Sequence, residues 1–317
     1  MKKIAVLTRD CAGVNAAIRA VVRTASRHDI GVVGVLRGFD GLIDGDFIPL
    51  TRQSVSGIIN CGGTILKTAR SQRFFTEQGQ QQAIETIRKN SIDGLIVIGG
   101  NGSLTGAHSL ATRFGIPVVG IPATIDNDVN GVELTIGADT AINVALDAVD
   151  KIRDTVTSLE RIFIVEVMGR SCGYLALQVA LAGGCEEVLI PEQEFSIERM
   201  CEEIIAGYNQ GKASWIIIVA EGTAKASDIA SVIAERTGLE TRVAVLGHIQ
   251  RGGRPTAVDR ILASRLGSYA VEVAENGCSD VCVSMNKESL ITIPLETAVQ
   301  GKKLDVTNSY KLIKLLT

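Results

Sequence analysis

The chain has 317 residues, 46% of them hydrophobic and 21% charged, with 33 Gly, 6 Pro and a formal net charge of −3. That profile belongs to a globular chain with a sizeable core, in one large domain or two. It carries no basic excess to match nucleic acid and no apolar run long enough for a membrane helix, so neither is expected as a partner.

The N-terminus, Met1-Lys2-Lys3, is basic and is followed by an apolar run. That run is too short for a signal peptide and reads as a first strand, Ile4–Thr8. Further short β-branched runs predict strands at Val32–Leu36, Gly94–Ile98, Pro117–Ile121, Ile162–Val167, Trp215–Ala220 and Arg242–Leu246. Helical patterns lie between them. Ala16–Ser26 follows an Asn15 cap, and Thr76–Lys89 reads as a polar surface helix. Ala138–Thr155 carries Ile142, Ala145, Val149 and Ile152 on one face, and Ser196–Asn209 and Thr256–Glu275 follow. Apolar strands alternating with helices predict parallel sheets covered on both faces. Two lobes fit the length, with the boundary at the start of the Ala138 helix. The seven cysteines (11, 61, 172, 185, 201, 278 and 282) form no Cys-x-x-Cys pair and no zinc spacing. They read as reduced thiols in a cytoplasmic protein.

The chemistry-bearing motifs sit at predicted strand ends, where open α/β sheets bind ligands. Ile98-Gly99-Gly100-Asn101-Gly102-Ser103 follows a strand and opens a helix. Its glycines admit a phosphate close to the backbone, and the helix supplies N–H donors; the bland alternative is a tight turn capped by Asn or Ser. Pro122-Ala123-Thr124-Ile125-Asp126-Asn127-Asp128 places two carboxylates two residues apart, either an acid/base or metal-binding unit or a solvated turn. Val165–Arg170 and Gly247–Gly253 end further strands with Arg170 and with His248 and Arg251. Each Arg is either a surface ion pair or a bidentate phosphate contact. Arg161 precedes one of those strands. His28 and His108 read as structural, and the sparse aromatics offer no stacking platform for single strands.

Together these segments resemble the bacterial ATP-dependent 6-phosphofructokinases, from Ile4 to about Asn276. The most specific stretches are Pro122–Asp128, Val165–Gly173, Thr241–Gly253 and Asp259–Gly267. The resemblance implies an α/β fold of two lobes, each a mostly parallel sheet flanked by helices, with the active site between the lobes. Residues 1–137 would form the nucleotide-binding lobe, completed by about 250–300, and 138–249 the fructose 6-phosphate lobe, completed by about 301–317. It implies phosphoryl transfer from ATP–Mg²⁺ to the C1 hydroxyl of fructose 6-phosphate in glycolysis, by a regulated homotetramer.

Carried over by motif, Asp126 is the general base, Thr124 lies beside the transferred phosphoryl, and Asp128 and Asn101 stand near Mg²⁺. Arg70 and Arg170 stabilise charge on the phosphoryl. Gly99, Gly100, Asn101, Gly102, Ser103 and Arg70 meet the nucleotide. Met168, Gly169, Arg170 and Glu221 meet the sugar, His248 and Arg251 its 6-phosphate, and Arg161 and Arg242 reach in from a neighbouring subunit. Arg19, Arg23, Arg52, Arg153, Glu186 and Lys212 match positions for a nucleotide or phosphoenolpyruvate-like effector.

Gly102 and Ala123 stand where pyrophosphate-dependent relatives carry Asp and Lys, which favours ATP as donor. Two positions depart from the family pattern. After Thr8 the Ser-Gly-Gly-Asp loop is shortened by two residues to Arg9-Asp10, and Asn101 replaces an Asp. Arg9 either substitutes charge for backbone donors or obstructs the site. The departures keep a second reading open, a catalytically weak sugar-phosphate-binding regulatory paralogue; a pyrophosphate-dependent enzyme is the third.

Overall fold

The computed structural model describes residues 1–159, 161–212 and 214–317. In chain order, β1 (Lys3–Thr8), α1 (Val14–Ala25), β2 (Gly31–Val35), α2 (Phe39–Asp44) and β3 (Phe47–Leu50) come first. They are followed by α3 (Glu77–Lys89), β4 (Gly94–Gly99), α4 (Asn101–Phe114), β5 (Val118–Pro122) and α5 (Ala138–Leu159). Next are β6 (Ile162–Val167), α6 (Tyr174–Ala182), β7 (Glu187–Leu189), α7 (Ile197–Asn209), β8 (Trp215–Ala220) and α8 (Ala226–Thr237). The chain ends with β9 (Thr241–Val245), α9 (Ala257–Glu275), β10 (Val281–Asn286), β11 (Ser289–Pro294), α10 (Leu295–Ala298) and α11 (Thr307–Leu316).

The chain divides into two compact units, one of Met1–Thr140 with Arg251–Lys302 and one of Ala141–Gln250 with Lys303–Thr317. Unit 1 holds a seven-stranded sheet in the order β11-β10-β5-β4-β1-β2-β3. Its middle strands pair in parallel, Ala5 with Val33 on one side and Val6 with Ile96 on the other. All of β4 and β5 is buried, as parallel strands covered on both faces require. The outermost strands differ from the parallel expectation: β3 and β11 run antiparallel to β2 and β10. Each follows its partner strand after a short connection, through α2 for β3 and a tight turn for β11.

β1 leads through α1 to β2 on one side, and β4 leads through α4 to β5 on the other. Their carboxyl ends therefore border the switch point where such sheets bind ligands. Unit 2 is a parallel sheet in the order β7-β8-β6-β9. Its switch point lies at the ends of β6 and β8, whose crossovers lead to β7 and β9 on opposite sides. Apolar clusters cover both faces, one built on Val165, Ile216 and Ile218, the other on Ile164, Ile217 and Val219.

Several local expectations change. Asn15 does not cap α1. Gly13, with φ 97°, is the cap residue, and Asn15 lies inside the helix. Its side-chain nitrogen donates to the carbonyls of Cys61 and Gly62, both at 3.1 Å, and its oxygen accepts from the Ile65 N–H at 2.9 Å. α3 begins after Thr76, whose hydroxyl accepts from the Gly79 N–H, and it buries Ala83, Ile84 and Ile87 rather than lying wholly on the surface. Among the described residues no helix is long and apolar enough to cross a membrane.

Candidate active site

At the switch point of unit 1 the loops after β4 and β5 approach until only glycine fits. A Cβ on Gly100 would lie 3.0 Å from the Thr124 Cβ, and one on Gly99 would lie 2.7 Å from Ser103. The Ala123 N–H donates to the Gly99 carbonyl at 3.0 Å, extending the pairing of the two strands into the loops. Gly102, in the first turn of α4, differs: a Cβ there would meet nothing within 4 Å, so the space above it is open. The helix start is thus lined by glycine, with the Ser103 N–H already paired to the Gly100 carbonyl at 2.9 Å, and a helix N-terminus of that composition is suited to receive phosphate.

The Thr124–Asp128 loop is braced from within. Asn127 adopts φ 50°, a left-handed conformation that Asn tolerates better than most residues. Its side chain is fully buried. Nδ2 donates to the Glu133 carbonyl at 3.1 Å and Oδ1 accepts from the Thr135 N–H at 2.9 Å. The Thr135 hydroxyl donates in turn to the Thr124 carbonyl at 2.6 Å. The Asp126 N–H donates to the Thr124 hydroxyl at 3.2 Å, and the Asp126 residue is 4% exposed.

Asn101 and Asp128 meet. Asn101 Nδ2 donates to an Asp128 carboxylate oxygen at 2.8 Å and to the Asp128 carbonyl at 3.2 Å. The Asn101 side-chain oxygen is buried with no hydrogen-bond partner. An orphaned oxygen beside a carboxylate fits a divalent cation that arrives with phosphate ligands and keeps several waters. Among the described residues no group of three or more His, Cys, Asp or Glu could form an all-protein cage. Arg70 is exposed, in the irregular segment that precedes α3.

At the switch point of unit 2, Gly169 has φ 140° and Arg170 φ 52°. The Glu221 carboxylate, at the end of β8, fixes this turn: one oxygen accepts from the Arg170 N–H at 2.9 Å and the Gly169 N–H at 3.3 Å. Gly222 allows the approach, since a Cβ there would lie 1.8 Å from the Arg170 carbonyl oxygen. The Met168 N–H donates to the Gln250 side-chain oxygen at 2.8 Å, and Gln250 is fully buried. His248 is exposed in the 3-10 turn Gly247–Arg251. Arg251 begins the part of the chain that returns to unit 1, where it donates to the Asp10 carbonyl at 3.3 Å. On the β6 and β9 side, Glu240 gathers Arg161, at 2.7 Å, and Arg242.

The six residues matched to an effector divide between the units. Arg19 and Arg23 lie on one face of α1, and burial together with Arg23 disfavours the Arg19 charge. Arg52 lines a shallow cavity of about 580 Å³ with Val22, Asp29 and Leu50. In unit 2, Glu186 and Lys212 pair at 3.5 Å and line a cavity of about 60 Å³. Arg153 donates to the Gly184 carbonyl at 2.9 Å beside it.

Sequence reasoning missed three residues here. Asn127 was overshadowed by the carboxylates on either side of it. Glu240 stands two residues before Arg242, a spacing that could have marked it. Gln250, between His248 and Arg251, carried no signal, because its bond to Met168 spans 82 residues.

Residues 3–274 match the family described as phosphofructokinase. The chain is 49% identical over 331 residues to the ATP-dependent 6-phosphofructokinase of Halothermothrix orenii, covering 100% of each chain. It is 52% identical over 306 residues to that of Clostridium tetani, covering 95% of this chain and 96% of the relative. Among solved structures, phosphofructokinase from Saccharomyces cerevisiae superposes with a TM-score of 0.87 at 35% identity, over 94% of this chain and 45% of that one.

Proposed function

The chain belongs to the phosphofructokinase family, and from that premise we infer that it is an ATP-dependent 6-phosphofructokinase, a kinase of glycolysis. It transfers the terminal phosphoryl of ATP to the C1 hydroxyl of fructose 6-phosphate. One observation carries the reading: in unit 1 a glycine-lined helix start and a buried carboxylate loop are locked together, Gly100 against Thr124 and Asn101 on Asp128.

Unit 1 supplies the donor side. Gly99 to Ser103 take the nucleotide phosphates, and Arg70 answers their charge. Asp126 accepts the proton of the attacking hydroxyl, which raises the nucleophilicity of that oxygen for in-line displacement. Thr124 stands beside the transferred group. Asp128 and Asn101 would hold Mg²⁺, which supplies charge neutralisation on the phosphate oxygens when bound.

Unit 2 supplies acceptor residues. Glu221 spends one oxygen on the Gly169–Arg170 backbone and leaves its other oxygen for a sugar hydroxyl. Arg170, turned left-handed, offers its guanidinium to the phosphoryl as charge develops. His248 and Arg251 are assigned to the 6-phosphate. Arg161 and Arg242, paired on Glu240, are assigned to a sugar phosphate bound by a neighbouring copy in a homotetramer. Arg19, Arg23, Arg52, Arg153, Glu186 and Lys212 are assigned to a phosphorylated effector, and the enzyme to the cytoplasm.

Pyrophosphate as donor is not favoured. The curated relatives carry the ATP-dependent name, and the open space at Gly102 is what a nucleotide needs. The test is turnover of fructose 6-phosphate with ATP–Mg²⁺ against pyrophosphate–Mg²⁺. Turnover with ATP alone is expected. Retained sugar-phosphate binding with no turnover on either donor would replace the reading by that of a regulatory paralogue.

A further inference from the structure

Arg9 is the first residue past β1, and it stands at the switch point of unit 1. Its N–H donates to the Ile98 carbonyl at 2.9 Å, so its backbone is held to the end of β4. Its side-chain stem crosses Gly99: a Cβ on that glycine would lie 3.0 Å from Arg9 Cγ. The guanidinium then reaches the irregular segment before α3, where Nη1 donates to the Ala69 carbonyl at 2.9 Å and the Thr68 hydroxyl at 3.2 Å. The next residue is Arg70.

We propose that Arg9 is a positioning residue for the phosphate donor: it pins residues 68–70 over the Gly99 turn and so aims Arg70 at the nucleotide phosphates. The inference rests on the reading of Gly99–Ser103 as the donor loop. Its physical basis is the difference between the two sides of the turn. Gly99 and Gly100 are fixed by strand pairing and close packing, whereas the 68–70 stretch lies outside any helix or strand. The same segment is tied further back by the Thr8–Thr64 hydroxyl pair at 2.8 Å and by Ile65 on Asn15. Arg9 extends that tether to the residue before Arg70. A charged donor holding a backbone carbonyl is stronger than a neutral one. The guanidinium therefore acts here as a tether on the segment.

The test compares the unsubstituted protein with Arg9→Ala and Arg9→Lys. Hydrogen exchange of residues 63–72 is followed in the ligand-free protein, and KM for ATP and for fructose 6-phosphate are measured separately. Arg9→Ala is expected to speed exchange in that segment and to raise KM for ATP about tenfold. KM for fructose 6-phosphate should stay within about twofold, and Arg9→Lys, which keeps a charged donor, should recover part of both effects. Unchanged exchange would overturn the proposal. So would faster exchange with an unchanged or lowered KM for ATP, the latter being the mark of an obstructing side chain. Absence of ATP turnover in the unsubstituted protein overturns the kinase reading instead, and the exchange arm still reports on the tether.

Discussion

The side-chain amide of Asn101 donates to the Asp128 carboxylate at 2.8 Å, joining the first residue of α4 to the last residue of the Asp126 loop. This bond ties the start of α4 to the Thr124–Asp128 loop within unit 1. It also leaves the Asn101 oxygen buried and unpaired, which is where a cation's demand for oxygen ligands and the protein's demand for a partner coincide.

Asn101→Asp separates these two roles. The substitution removes the donor and sets a second carboxylate beside Asp128. The metal-free fold should lose about 1–3 kcal/mol, the cost of leaving buried polar groups without a partner. Added Mg²⁺ should restore the melting temperature by more than it raises that of the unsubstituted protein, since two charges now bind it. Thermal melts with and without Mg²⁺ decide. An equal metal response in both proteins would place the cation elsewhere.

Asp126→Ser and Asn127→Gly distinguish the base from its brace. Loss of Asp126 should lower kcat by about 10²–10⁴, the usual worth of a positioned acid or base, with binding of fructose 6-phosphate nearly unchanged. Asn127→Gly keeps the left-handed backbone without strain but deletes the bonds to Glu133 and Thr135. It should lower kcat by roughly 10-fold or more at temperatures where the protein stays folded, because misplacing a catalytic group by a fraction of its reach is costly. A variant that melts earlier yet turns over normally would reduce Asn127 to a stabilising role.

Gly102→Asp tests the donor. A Cβ at this position meets nothing within 4 Å, and an acidic residue in the first turn suits the helix dipole. The melting temperature should hold within a degree or two. KM for ATP should rise at least about tenfold, because carboxylate and polyphosphate repel at close range. If ATP binds as before, Gly102 does not face the nucleotide.

Cys282 sets part of the alkaline limit. Burial in the sheet pushes its thiol up from 9.0 to about 12. A group whose folded value is raised contributes stability that is complete below the unfolded value and is lost as pH climbs towards the folded one. The loss should therefore begin near pH 9 and reach about 1.4 kcal/mol at pH 10, one pKa unit's worth of free energy. Urea unfolding of Cys282→Ala at pH 8 and pH 10 should show a correspondingly smaller drop than the unsubstituted protein. Parallel curves would mean that the thiol does not titrate on unfolding.

Much of the architecture was legible along the chain. The strands from Ile4, Ile162 and Trp215 were read nearly to the residue, because apolar runs bounded by turns carry their signal locally. The short strands Phe47–Leu50 and Glu187–Leu189 were not, since each is too brief for a pattern and exists through pairing with another strand; the hairpin Val281–Pro294 was not read either. Asn15 was misread for a related reason: Asn before a helix usually caps it, but here a glycine with positive φ takes the cap and frees the side chain for a partner 50 residues away.

By itself, the sequence determined which residue types stand at which strand ends: glycines after β4, carboxylates after β5, arginine and glutamate after β6 and β8. Periodicity and turn chemistry are short-range properties, so they survive in one dimension. Only the tertiary structure decided what those residues do to one another. It put Asn101 on Asp128, folded Asn127 inward, gave Glu221 to the Arg170 turn, and spent the Arg9 guanidinium on Thr68 and Ala69. These bonds span 6 to 60 residues, and their partners are selected by sheet order and backbone direction, which no local pattern encodes.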